Sequence, residues 1–408
     1  MGGKVTKIIE RRAAENNGRA EEPLLVNPET VIFDGDGTMY VMNEHAKLVS
    51  LTDFESSGGD DDDDDEDDDS RVVTARATEV ADLGIGRPLG GKFDGGGCLY
   101  FADAILGLAR VCNLPKGGIP TKSRHSATSP RPVVELIASR VKLDDGSWSP
   151  IRYADDVDVG PRTGHVYFTD ASDARPDRDP ATGGGTWDVM YASIVEGLRG
   201  RRTGRLLRYK PETGEVDVLA TGAAFANGVA VVDADERSVL YTSTFEAAVM
   251  RHRLGKDGDE EGMNVVGGGG GGGGMGMGAE RVLDGFPGLL DGADCSFDRG
   301  MCYVAIPATV SAPMSAVFSL PPWPGRIVRS LLMMIPRGWA PTAEPYGGVA
   351  EISLGGDGES GGPVARITRI FQDPDGTDFS TITGVTERGG KLYLGCLHCD
   401  YLAVVSLD

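Results

Sequence analysis

Residues 155–170 read DDVDVGPRTGHVYFTD, and this stretch decides the fold. A short β-favouring run, VDV, meets a Gly/Pro/Thr turn and is answered by VYF, which is the signature of a β-hairpin. Outward from it the same unit recurs along the chain. It appears as Met39-Tyr40-Val41, Leu99-Tyr100-Phe101, Val166-Tyr167-Phe168, Leu240-Tyr241-Thr242, Cys302-Tyr303-Val304 and Leu392-Tyr393-Leu394. Each is preceded by a polar turn (DGDGT, DGGGC, GPRTGH, DADERS, DRGM, ERGGK) and, before that, by another apolar run such as VIFD or VAVV. Six such hairpins predict an all-β, six-bladed β-propeller, in which each blade is a four-stranded sheet. A β-sandwich with coincidental tyrosines is the alternative; the joint recurrence of run, turn and Tyr argues against it.

The propeller is expected over residues 23–408, with 1–22 as an N-terminal tail. Two insertions cannot pack into a blade: the acidic run 60–69 and the glycine-rich stretch 262–279. One inserted helix is expected from Trp323 to Ile335, where Ile327, Val328, Leu331, Leu332 and Ile335 share a face and Pro336 ends it. Such a helix packs on the propeller face, caps a pocket or touches a membrane surface.

Among 408 residues, 60 Gly and 23 Pro suit many turns and short strands. The net charge of −22 opposes a phosphate backbone, so nucleic acid is excluded as a partner and cations are favoured. No run of 18 or more apolar residues exists, and the N-terminus lacks the apolar core of a secretory signal. That predicts a cytosolic chain or an upstream segment outside this sequence. Cys98, Cys112, Cys295, Cys302, Cys396 and Cys399 read as buried strand cysteines rather than a disulfide framework. Cys396-Leu397-His398-Cys399 has the spacing of a metal or redox motif but no second ligand pair for zinc.

Repetition permits a further reading. The residue at the start of each innermost strand is Glu29, Leu89, Asp155, Asn227, Asp291 or Thr383. In a propeller these positions converge on the axis. Three carboxylates and an amide meeting there would repel unless a cation lay between them. Oxygen donors without His or Cys fit Ca2+ better than zinc. Asp and Asn are also ordinary turn formers, which is the bland account of all but Glu29.

The quoted stretch, with TGRLLRYKPETGEVDVLATGAAFANGVAVV after it and KLYLG near the end, resembles the strictosidine synthase-like family, the adipocyte plasma membrane-associated protein-like group. The resemblance implies a propeller related to the calcium-dependent paraoxonase and gluconolactonase lactonases, and an endomembrane or vacuolar setting. It implies Glu29, Asp155, Asn227 and Asp291 as metal-holding residues, with Asp155 where Asn is usual and Gly292 where many relatives carry Asn. The function expected is calcium-dependent hydrolysis of small-molecule esters or lactones, of arylesterase or lactonase type. Asp155 or Glu29 would be the base or a ligand, and His125 is the histidine candidate. Strictosidine-type condensation of an amine with an aldehyde is the alternative, and Thr383 stands where its glutamate would be; a hydroxyl cannot shuttle a proton at neutral pH. A propeller that binds a ligand or partner without catalysis is the third reading.

Overall fold

The computed structural model describes residues 5–11, 23–56, 70–115, 131–255, 279–310, 316–317, 320, 322–334, 345–355 and 365–407. A six-residue strand, β1 (Val5–Glu10), precedes the blades. The first blade is β2 (Val31–Phe33), β3 (Met39–Met42), β4 (Lys47–Ser56) and β5 (Ser70–Asp82). The second is β6 (Pro88–Phe93), β7 (Leu99–Asp103), β8 (Gly107–Cys112) and β9 (Val133–Ala138), followed by a small hairpin of β10 (Arg140–Lys142) and β11 (Trp148–Pro150). The third is β12 (Ala154–Val159), β13 (Val166–Asp170), β14 (Gly204–Lys210) and β15 (Glu215–Ala223). The fourth is β16 (Ala226–Val231), β17 (Ser238–Ser243), β18 (Ala248–Arg253) and β19 (Glu280–Leu283). The fifth is β20 (Ala293–Ser296), β21 (Met301–Ile306), β22 (Gly347–Ser353) and β23 (Arg366–Asp373). The sixth has β24 (Ile382–Arg388), β25 (Lys391–Cys396) and β26 (Tyr401–Ser406) from the C-terminal end of the chain, and β1 supplies its fourth strand.

This corrects the expected boundary at residue 23. Val5–Glu10 is part of the propeller, pairing antiparallel with β26 (Val5 opposite Val405) and parallel with β5. Its side chains bury Val5 and Ile8, and its outer edge fuses the first and sixth blades into one eight-stranded sheet. The ring is closed: each innermost strand (β2, β6, β12, β16, β20, β24) lies against the innermost strands of both neighbouring blades.

The recurrent tyrosines sit in the second strand of each blade. Tyr40, Tyr100, Tyr167, Tyr241 and Tyr303 are buried between blades and Tyr393 is half-buried. Burying such a ring stabilises by roughly 2 kcal/mol, which explains why each blade keeps one. The turns ahead of them hold by one repeated device. Asp34 Oδ1 accepts the N–H of Asp36 and Thr38, Asp94 Oδ1 those of Gly96 and Cys98, and Asp233 Oδ1 those of Asp235 and Arg237.

Two longer helices rather than one are inserted. α1 (Val189–Arg199) lies between β13 and β14, capped by Asp188, whose carboxylate accepts the Tyr191 N–H, and closed by Gly200 in the left-handed region. α2 (Pro322–Leu332) packs against α1 and leaves Trp323, Ile327 and Leu331, with Met334 just beyond, exposed on its outer side. Of the apolar face expected here, Ile327 and Leu331 are exposed while Val328 and Leu332 are half-buried. Ile335, Pro336, the acidic run 60–69 and residues 262–278 of the glycine-rich stretch lie outside the described residues.

The cysteines also depart from expectation. Cys98–Cys112, Cys295–Cys302 and Cys396–Cys399 are disulfides. The reason is register: Cys295 and Cys302 are direct partners across β20 and β21, and Cys98 and Cys112 flank the β7–β8 pair. Sequence spacing alone cannot reveal which cysteines face one another.

Candidate functional site on the channel axis

All six ring residues are buried at one end of the innermost strands, with exposures of 5% for Glu29, 2% for Leu89, 3% for Asp155, 5% for Asn227, 8% for Asp291 and 1% for Thr383. Asp155, Asn227 and Thr383 are each the second residue of their strand; Glu29 and Asp291 stand two residues ahead of theirs. A shared backbone device brings several of them in. Asn27, Phe225 and Thr381 adopt positive φ (48°, 70° and 53°), each two residues before Glu29, Asn227 and Thr383. A non-glycine residue in that region stores strain, and it recurs here where the chain turns into the channel.

Packing holds the turns. Phe225 meets Tyr153 edge-on at 5.1 Å, and the Tyr153 hydroxyl donates to Val189 O at 3.0 Å, tying the ring to α1. Asp170 Oδ1 accepts the N–H groups of Arg152 and Tyr153 at 3.0 Å each, which fixes the approach to Asp155. The Gly292 N–H donates to Thr383 O at 2.8 Å, and a Cβ at Gly292 would lie 2.6 Å from that oxygen. Gly292 therefore serves the contact between the fifth and sixth blades, and an Asn side chain has no room there as the blades stand.

The electrostatics are those of crowded carboxylates. Burial, then the neighbouring charge of Asp156, pushes Glu29 up to about 8, against the opposing pull of Arg87. Asp155 is raised well above the usual range by burial and by Glu29 and Asp291. Asp291 is raised by burial and Glu29, although the Asn227 side chain donates to it. Glu29 Oε2, Asp155 Oδ2, Asp291 Oδ1 and Thr383 Oγ1 are buried without a hydrogen-bond partner. Buried oxygens of this kind ordinarily have one. Such a donor set, all oxygen and mostly anionic, fits a hard cation. Among the described residues no three His, Cys, Asp or Glu side chains, Glu29, Asp155 and Asp291 included, stand together as a ready metal cage.

Below this ring lies a second that sequence reading missed. Lys92 Nζ, from β6, lies 3.3 Å from Asp158 Oδ1 and 3.2 Å from Asp294 Oδ1, spanning the second, third and fifth blades. Burial pulls its pKa down, but the two carboxylates outweigh that and hold the ammonium above its usual value. The remaining oxygens stitch blades together: Asp158 Oδ2 accepts the Val231 N–H at 2.8 Å, and Asp294 Oδ2 that of Glu387 at 2.8 Å. Asp156 Oδ2 accepts the Val229 N–H at 3.0 Å, and burial lifts its carboxyl to about 7. Glu387, by contrast, closes the β24–β25 turn through Gly390. Replacing Lys92 by Met should cost about 2 kcal/mol in urea unfolding. That figure is discounted from the roughly 3–5 expected of a broken buried pair, because the Lys92 side chain keeps 41% of its surface exposed. Unchanged stability would show that the ammonium does not neutralise the lower ring.

Two further titratable groups lie nearby, Arg87 beside Glu29 and His398 beside Arg87. Arg87 is buried, and its Nη2 donates to Asn27 O at 3.3 Å; burial lowers its pKa while Glu29 and Glu44 support the charge. His398 reaches solvent, yet the surrounding walls and then Arg87 lower its pKa. His125 lies outside the described residues. Arg87 and His398 were not legible as site residues, because neither falls at a repeated position.

The profile of the strictosidine synthase family matches residues 155–256, a block that contains Asp155 and Asn227. The resemblance to strictosidine synthase-like proteins therefore holds. Adipocyte plasma membrane-associated protein of Salmo salar is 28% identical over 332 residues, covering 79% of this chain and 64% of that protein. Protein STRICTOSIDINE SYNTHASE-LIKE 1 of Arabidopsis thaliana is 25% identical over 312 residues, covering 76% of this chain and 63% of that one. The match thus spans a little under two thirds of those relatives. Among solved structures, a gluconolactonase from Xanthomonas campestris is similar at a TM-score of 0.49 and 12% identity, covering 94% of this chain and 89% of that chain.

Proposed function

We propose that the protein binds one calcium ion in the channel and hydrolyses small esters or lactones there. The observation that carries this reading is the set of four buried, unpartnered oxygens from four different blades, on Glu29, Asp155, Asp291 and Thr383. Glu29, Asp155, Asn227 and Asp291 would hold the ion. When bound, it would supply Lewis-acid polarisation of a carbonyl oxygen and a water of lowered pKa. The chain's own contribution is separate. Tyr153, Phe225 and Leu89, packed in one buried cluster with Val189 and Ala192 of α1, back the ring and hold it in place. Asp155, or the neutral His398 imidazole at the mouth, would take the proton from the attacking water.

Thr383 weighs against amine–aldehyde condensation. Its hydroxyl is buried at the ring, and no carboxyl occupies that position. Turnover of phenyl acetate that disappears with chelator and returns with calcium is the expected result. Absence of turnover across a broad ester and lactone panel, with calcium bound, would replace the enzyme with a ligand-binding propeller.

A further inference from the structure

The Cys396–Cys399 pair differs from the other two disulfides in what it touches. The Asn27 N–H donates to Cys399 O at 2.8 Å, and the Cys396 N–H donates to Pro28 O at 2.8 Å. The loop thus holds both peptide units leading into Glu29. Gly395, just before the first cysteine, lies so close that a Cβ there would sit 2.1 Å from Glu29 O. Between the cysteines, Leu397 packs against the buried cluster of Leu89, Tyr153, Val189 and Phe225.

We propose that Cys396 and Cys399 form an exchangeable disulfide–dithiol site that sets the position of Glu29 and so gates the channel. Three observations support exchange. The sequence separation is 3, against 14 and 7 for the other bridges, so the chain entropy stabilising this bond is the smallest of the three. Cys399 is half-buried and open to an attacking thiolate, while Cys396 is 1% exposed. The dithiol form is also provided for, because Cys399 Sγ lies 3.1 Å from Tyr401 O, which would accept the thiol proton.

The reductant is a small-molecule or protein dithiol. Its thiolate attacks Cys399 Sγ, the S–S bond breaks, and the Cys396 thiolate leaves and takes a proton. The second reductant thiol then displaces Cys399, giving two protein thiols and one oxidised reductant disulfide. Two electrons and two protons pass to the pair. In the dithiol state the 396–399 loop loses its closure, and the Asn27–Glu29 backbone loses its fixed partners.

The proposal rests on the reading of Glu29 as a site residue but not on calcium, so its test is run on full-length protein in chelator. Titration with dithiothreitol, followed by thiol tagging and mass spectrometry, should open Cys396–Cys399 first while Cys98–Cys112 and Cys295–Cys302 persist. Amide hydrogen exchange at Asn27 and Cys396 should then rise about tenfold and return on reoxidation. The Cys399→Ser variant should show the same fast exchange without reductant, and a Cys98→Ser/Cys112→Ser variant should leave it slow. Opening in another order, or opening with unchanged exchange at Asn27, would overturn the gate. Loss of calcium binding alone would touch only the proposed function.

Discussion

In chelator, raising the pH from about 5 to about 8 is expected to lower the thermal midpoint by roughly 5 °C, and millimolar calcium to abolish most of that fall. The folded Glu29 carboxyl keeps its proton up to about 8, against an ordinary value of 4.5. Between those values the folded state binds a proton that the unfolded chain has released. Stability is therefore full below the ordinary value and is lost as the pH climbs through the raised one. Asp155 and Asp291 are shifted in the same direction, by burial first and by Glu29 next, so they add to the loss. The Glu29 shift alone corresponds to at most about 5 kcal/mol, and relaxation of the channel will reduce it to a few. A divalent cation bound as proposed would replace the missing protons as counter-charge, so the stabilisation by calcium should grow with pH. The Asp291→Asn variant sharpens the test by reversing sign. It removes one repelling charge and should raise the midpoint in chelator at about pH 8, yet it should lower the midpoint in calcium by weakening the ion's binding. Shifts of equal sign and size in both buffers would show that Asp291 is an ordinary structural carboxylate.

A second large effect is expected from one methyl group. Gly384→Ala should destabilise the propeller by about 3 kcal/mol or more and abolish calcium-dependent stabilisation. A Cβ at Gly384 would stand 2.1 Å from Glu29 O and 3.0 Å from Glu29 C, and both atoms are backbone that cannot rotate away. The first and sixth blades would have to part at their innermost strands, β2 and β24, on the side of the sheet away from β1. Gly300→Ala is the control: it is an open turn glycine with nothing near its added Cβ, so its cost is limited to the strain of a φ of 61°. Guanidinium midpoints with and without calcium measure both. If Gly384→Ala matches wild type, the close approach at Glu29 is not required.

The six-fold architecture was legible because a propeller repeats one solution to one packing problem. Each blade needs a turn, a buried ring and an inner strand, so Tyr40 to Tyr393 announce themselves by recurrence. The axial positions followed from the same repetition, since Asp155 and Asn227 occupy equivalent places in consecutive blades. Features that occur once were not legible. β1 is six residues with two buried side chains, and its partner Val405 lies at the opposite end of the chain. Lys92 looks like an ordinary strand lysine until Asp158 and Asp294 are seen across the channel. Arg87 and the 396–399 loop act on Glu29 by tertiary contact alone. The Cys98–Cys112 and Cys295–Cys302 pairs required strand register, which local pattern does not carry.

Equilibrium dialysis against calcium measures how many ions the ring holds. One ion per chain is predicted for the wild type, with none retained by a Glu29→Gln/Asp291→Asn double variant that still folds. Wild-type protein that takes up no calcium at neutral pH, or a double variant that binds it equally well, would contradict the account.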